Sequence, residues 1–301
     1  MCIRDSPREI SLKRADQISQ KISNGEKIGK LAGLPVAIKD NLSIADQGLS
    51  TGCSSKILEG YHSPYDATVV KALKDEDALV IGTTNMDEFA MGSSNENSAF
   101  GPTLNPWHPS RVPGGSSGGS AVAVATGMAV AALGSDTGGS VRQPASFCGI
   151  TGFKPTYGAL SRYGLVAYGS SLDQVGCLTR TAEDSAYLFE AIQDVDSKDS
   201  TSLAKKLDSY DEEIDLNSLK FCLPIEYLDS KTVSEDVSEA TAYMADWLVQ
   251  HGAIVEKKSL GFLDCLIPAY YVISFAEASS NLGRFDGIRY GLRGGSGRLD
   301  E

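Results

Sequence analysis

The chain has 301 residues, a formal net charge of −12 at pH 7, 42% hydrophobic and 22% charged residues, which is the composition of a soluble globular protein of one large or two ordinary domains. This acidity excludes an overall electrostatic footprint for nucleic acid, so any RNA contact needs a local basic patch or a partner protein. The longest uncharged apolar stretch, residues 121–133, is too short to span a bilayer, so no membrane span is expected.

The first 30 residues are polar, and Arg4, Asp5, Arg8 and Glu9 leave no apolar core for a secretory leader. Ile10, Leu12, Ile18 and Ile22 give weak helical spacing. Residues 34–40, Leu-Pro-Val-Ala-Ile-Lys-Asp, form a short apolar run ending in charge, which predicts a buried strand followed by a loop. Asp66 is placed to cap a helix bearing Val69, Val70 and Leu73, and residues 78–81 read as the next strand. Strand, helix and strand in alternation predict an α/β layer architecture.

Residues 101–152 hold 11 of the 31 glycines, far more than an even share, and are rich in serine. Within them residues 113–120, Pro-Gly-Gly-Ser-Ser-Gly-Gly-Ser, lead into a small-residue helix over 121–126 that Gly127 ends. Residues 128–133 read as a buried strand, followed by a second glycine-serine loop at 134–140 and a short helix from Val141. Beyond Thr181 an αβ pattern resumes. Residues 194–215, with eight acids and three bases, read as a surface linker. Residues 219–223 and 253–255 are predicted strands; Val237, Ala240, Met244, Trp247 and Leu248 mark a helix stopped by Gly252, and residues 269–282 another.

Six cysteines without a C-x-x-C pair argue for reduced thiols rather than a disulfide framework or zinc site, and the cytoplasm or an organelle matrix is the expected location. The three histidines, His62, His108 and His251, lie in proline-flanked loops or at a helix end and read as structural. Nucleophilic chemistry in this chain is therefore expected to run without a histidine base. A flexible linker does not explain loops that alternate with buried apolar runs, and neither loop matches a phosphate-binding glycine pattern. A nucleophilic serine hydrolase or amide transferase fits better. Ser140 follows a strand and begins a helix, where backbone N–H groups can hold an oxyanion. Lys39 ends an apolar strand, where burial would lower its pKa toward that of a base.

Three motifs resemble the amidase signature family: Gly-Leu-Pro-Val-Ala-Ile-Lys-Asp-Asn around Lys39, Pro-Gly-Gly-Ser-Ser-Gly-Gly-Ser around Ser116, and Gly-Ser-Asp-Thr-Gly-Gly-Ser-Val-Arg-Gln-Pro-Ala around Ser140. Ser116 and Ser140 lie 24 residues apart, as in that family. Segments 85–94, 154–158, 161–168, 170–176 and 277–291 further resemble the glutamine-hydrolysing subunits of tRNA-dependent amidotransferases. The resemblance implies an α/β amidase-signature fold, a central mixed β-sheet flanked by α-helices, spanning 15–292 with its catalytic core at 101–181. Ends 1–14 and 293–301 are atypical, and members of this branch run roughly half again as long, so the fold is expected to be incomplete at both ends.

The same resemblance implies a Ser-cisSer-Lys triad. Ser140 would attack the side-chain amide of glutamine, and Ser116, after a cis Gly115–Ser116 peptide, would relay a proton to neutral Lys39. N–H groups of Thr137, Gly138, Gly139 and Ser140 would form the oxyanion hole, with Ser117 hydrogen-bonded within the site. Asp136 and Arg142 would brace the loop, and Tyr270 and Tyr271 would line the glutamine pocket. No metal and no cofactor are implied for this chain; ATP and magnesium would be used by the partner. The implied partners are B and C subunits in a heterotrimer, with tRNA held mainly through the partner. The alternatives are a stand-alone amidase on other small amides and a truncated, non-catalytic subunit.

Overall fold

The computed structural model describes residues 2–5, 7–45, 48–206, 214–228 and 233–290. The chain divides into two compact units, one of Met1–Asp208 with Ser274–Glu301 and one of Ser209–Ile273. In the first unit β1 (Ile3–Asp5), β2 (Pro35–Lys39), β3 (Leu79–Thr84), β4 (Ala131–Asp136), β5 (Thr151–Phe153) and β6 (Gln174–Thr179) form one sheet in the order β1-β3-β2-β4-β6-β5. β2 runs parallel to β3 and β4, while β1, β5 and β6 pair antiparallel, so the sheet is mixed as expected.

Strand alternation sorts the core into two layers. Val36 and Ile38 of β2, Ala131 and Leu133 of β4, and Val175 and Cys177 of β6 pack with α2 (Thr68–Asp75) and α5 (Ala182–Ile192) through Val70, Leu73, Leu188 and Ile192. Ala37, Ala132 and Leu178, on the opposite alternation, pack with α3 (Gly118–Ala125) and α4 (Arg142–Cys148). The second face is built largely of alanine, glycine and serine, which lets helices and loops approach the strands closely. α1 (Arg8–Ser23) forms where weak helical spacing was read, and α7 (Leu263–Leu282) begins earlier than its sequence pattern.

Several local expectations shift. β4 starts three residues later than residue 128, because Ala129 N–H returns to Ala123 O (3.1 Å), and Gly134, Ser135 and Asp136 extend it by pairing with β6. Asp66 does not cap α2, whose N-cap is Ala67; its carboxylate accepts from Ala45 N–H (2.8 Å) and Lys74 Nζ (2.7 Å). The start of the acidic linker is anchored: Asp196 accepts from Thr68 and Ser161 hydroxyls, and Asp199 from Arg162 N–H (2.8 Å). Residues 207–213 of that linker, and the C-terminal end at 293–301, lie outside the described residues.

The second unit holds β7 (Lys220–Pro224) and β8 (Ile254–Lys258), paired in parallel, and α6 (Glu235–Gln250) between them. Among the described residues no helix is long and apolar enough to cross a membrane.

Candidate active site

Lys39 is the last residue of β2, and the alternation that buries Ala37 on the α3 side carries Lys39 to the same side. It is 0% exposed. Its Nζ donates to Ser116 Oγ (2.7 Å), Ser135 Oγ (2.9 Å) and Ser135 O (3.2 Å). Asn41 Nδ2 also donates to Ser135 Oγ (2.9 Å). Burial pushes the Lys39 pKa down to about 7, against the raising influence of Asp87, Asp136, Asp173 and Cys53. A lysine at this value is a usable base at neutral pH, whereas an exposed one is not.

Ser116 lies in the first glycine-serine loop, just before α3, and the Gly115–Ser116 peptide is cis. Its neighbours are tied down. Gly115 N–H donates to Gln143 Oε1 (2.9 Å), Ser117 N–H to Ser140 O (3.1 Å), and Ser117 Oγ to Ser135 O (3.2 Å). The first loop is thereby sewn to the second. Gly134 makes the approach possible, because a Cβ there would lie 2.8 Å from Ser117 Oγ.

The second loop turns around Asp136, whose side chain is fully buried at the end of β4. Its carboxylate accepts from Gly139 N–H (2.8 Å), Val141 N–H (3.1 Å), and from Arg142 Nε (3.0 Å) and Nη2 (2.9 Å). Burial pushes the Asp136 pKa up, but the Arg142 guanidinium and the amides outweigh it and hold the carboxyl below its usual range. Thr137 Oγ1 donates to Asp173 Oδ1 (2.6 Å), and Asp173 also accepts from Tyr168 N–H (2.8 Å) and Gly169 N–H (3.1 Å). Burial raises the Asp173 pKa despite these donors.

The structure brings Lys39, Ser116, Ser117, Ser135 and Ser140 into one cluster. The Lys39–Ser116 link is a closed hydrogen bond; Ser140 joins through its backbone carbonyl, and its Oγ makes no hydrogen bond among the described residues. Of the four loop amides, Gly139 N–H is already given to Asp136, which leaves Thr137, Gly138 and Ser140 N–H without an acceptor among the described residues. The arrangement joins a near-neutral amine to one serine hydroxyl, beside a second serine and three open N–H donors. Tyr270 and Tyr271 lie on α7 in the second unit, their rings 5.2 Å apart. The histidines are engaged elsewhere: His62 Nδ1 with Leu49 O (3.1 Å), His108 Nδ1 with Ser110 Oγ (2.9 Å), and His251 stacked on Trp247. Ser135 and Asp173 were not singled out from sequence, although both lie inside quoted motifs.

The sequence matches the family described as Amidase over residues 3–300, and the chain belongs to that family. Within it, the chain is 56% identical over 288 residues to the A subunit of the glutamyl-tRNA(Gln) amidotransferase of Carboxydothermus hydrogenoformans, covering 95% of this chain and 59% of the relative. It is 53% identical to the A subunit of the same name from Agathobacter rectalis, covering 95% of this chain and 56% of the relative. The crystal structure of the glutamyl-tRNA(Gln) amidotransferase A subunit from Thermotoga maritima superposes with a TM-score of 0.81 at 48% identity, covering 91% of this chain and 64% of that one. The peptide amidase of Stenotrophomonas maltophilia superposes at 0.84 with 29% identity, covering 97% and 61%. The chain thus spans about 59% of the length of the Carboxydothermus relative.

Proposed function

We propose that this chain carries the glutamine-hydrolysing site of a tRNA-dependent amidotransferase. The observation that supports this most is the fully buried Lys39, poised near neutrality and hydrogen-bonded to Ser116 at 2.7 Å. With Lys39 neutral, the Ser116 hydroxyl donates to the lone pair, and the two remaining N–H groups match the two acceptors that Ser135 presents.

In the proposed reaction Ser140 Oγ attacks the side-chain amide carbon of glutamine, and its proton passes through Ser116 to Lys39. The oxyanion rests on the open N–H groups of Thr137, Gly138 and Ser140; the loss of one such donor typically costs about 3 kcal/mol. The C–N bond breaks as the nitrogen takes the proton back from Lys39 through Ser116 and leaves as ammonia. Water, deprotonated along the same route, then cleaves the γ-glutamyl ester to glutamate and restores Ser140. Glycine at 139 serves the loop turn, with its N–H on Asp136 rather than on the substrate.

The similar chains are named A subunits of a glutamyl-tRNA(Gln) amidotransferase, which supports an assembly of several subunits; glutamine as nitrogen donor and B and C partners belong to the proposal. In that reading the partner holds the tRNA and uses ATP and magnesium, this chain needs no cofactor, and the assembly works in the cytoplasm or an organelle matrix. The test is ammonia release from glutamine, with the acyl-enzyme mapped by mass spectrometry. Ser140→Ala is expected to lower the rate by about 10⁴-fold or more and to remove the ester; ammonia release that survives this substitution sinks the mechanism.

A further inference from the structure

Asp87 follows β3 in the Asn-Met-Asp-Glu stretch and is 0% exposed. Its N–H donates to Ser116 O (3.3 Å), so its main chain touches the peptide that carries the proposed relay. Its carboxylate is clasped from the other side: Oδ2 accepts from Asn95 N–H (3.0 Å) and Oδ1 from Asn97 N–H (3.3 Å). A Cβ on Gly115 would overlap Asp87 Oδ2, so the glycine beside Ser116 is what admits the carboxylate there.

We propose that Asp87 is a positioning residue for this site, its main chain fixing the Ser116 peptide and its carboxylate, sealed beneath Gly115, supplying the fixed negative charge that acts on Lys39. The inference rests on Lys39 being the base. The groups acting electrostatically on Lys39 are Asp87, Asp136, Asp173 and Cys53, with Asp87 the strongest of them. Asp136 is spent on a bidentate Arg142, and Asp173 is offset by Arg162. Cys53 is held as a neutral thiol, because burial and then Asp40 push its pKa well above the usual thiol value. The cation that acts most on Asp87 is Lys39, with Glu96 opposing; burial raises its own pKa against the Asn95 and Asn97 amides. Asp87 therefore keeps the buried amine from falling too far toward a permanently neutral, weak base.

The test is the pH dependence of covalent labelling of Ser140 by a fluorophosphonate probe, with labelling mapped by mass spectrometry and folding checked by thermal melting. The wild-type rate is expected to rise through about pH 7 as Lys39 loses its proton. In Asp87→Asn, removal of the negative charge is expected to move this limb to lower pH by on the order of one unit, and Asp87→Glu to move it back. Asp87→Ser, which leaves room for a water on the Asn95 and Asn97 amides, carries the same expectation. A slower but unshifted profile in the neutral variants overturns the inference, as does failure of both to fold, since the carboxylate would then serve only the architecture. A wild-type chain whose Ser140 does not label, or labels without a limb, instead removes the Lys39 base itself.

Discussion

The two glycine-serine loops look alike in composition and behave differently in the fold. In the first, Gly115 N–H, Ser116 Oγ, Ser117 N–H and Ser117 Oγ all have partners, and Ser116 O accepts from Asp87. In the second, Asp136 clamps Gly139 and Val141, while the N–H groups of Thr137, Gly138 and Ser140 stay open on a partly exposed turn. The difference between the loops is where they lie: residues 113–120 are buried throughout, whereas the second turn comes to the surface at residues 137–139, where open donors can meet water or ligand. The first loop fixes a serine hydroxyl against the lysine. The second loop presents donors to whatever carbonyl arrives.

Breaking the buried side at its base is expected to have the largest effect of the remaining substitutions. Lys39→Arg keeps a cation but removes the lone pair, since guanidinium does not deprotonate in this range. Loss of a general base costs about 10²–10⁴-fold, so glutamine hydrolysis should fall by roughly that factor at every pH between 6 and 9; a variant with substantial activity would show that Lys39 is not the base. The next effect is expected from Gly115→Ala. The added methyl collides with Asp87 Oδ2 and lies 2.9 Å from Asn95 N, so the first loop must move. Overpacking of this kind costs about 1–3 kcal/mol, and displacing Ser116 by even an ångström costs about 10²-fold in rate. Thermal melting and glutamine turnover together check it; a fully active and equally stable variant would mean that the seal under Gly115 is loose.

How much of this was legible beforehand differs along the same line. Lys39 was visible because an apolar strand run ends on it, and the sheet places it on the alternation that the pattern gave. Ser140 was singled out by its place between a strand and a helix, and Ser116 came only with the motif resemblance. Asp87 and Asp173 were not visible as neighbours of Lys39. Each acts across 48 or more residues of chain, and nothing local distinguishes an aspartate that meets buried amides from one that faces water. β6 was missed because all six of its residues are buried, which leaves no alternation to read, and β1 because Ile3–Asp5 is too short and too charged to announce a strand. Asp66 was assigned a cap because capping residues are recognised by type, whereas Lys74 and Ala45 compete for its carboxylate only in the folded chain.

The smallest of the expected effects lies at the rim of the second, partly exposed loop. Arg142 binds Asp136 in a fork, yet its own side chain is 53% exposed, so the pair is screened and its contribution to stability at neutral pH is expected to stay below about 1 kcal/mol. Arg142→Gln leaves Asp136 with the Gly139, Val141 and Arg142-position amides, so the turn should persist and activity fall by no more than about tenfold. The clearer signature is in acid. Asp136 has a folded-state pKa below its unfolded one, so it contributes stability at neutral pH that is lost as pH falls through the folded value. Without the guanidinium, burial pushes that carboxyl upward with less opposition, and the loss must begin at higher pH. Melting temperatures of wild type and Arg142→Gln should therefore stay close near pH 7 and separate on acidification, the variant falling first. Curves that remain parallel from pH 7 to pH 4 would show that the backbone amides alone hold Asp136, and that Arg142 contributes nothing to keeping the open donors in place.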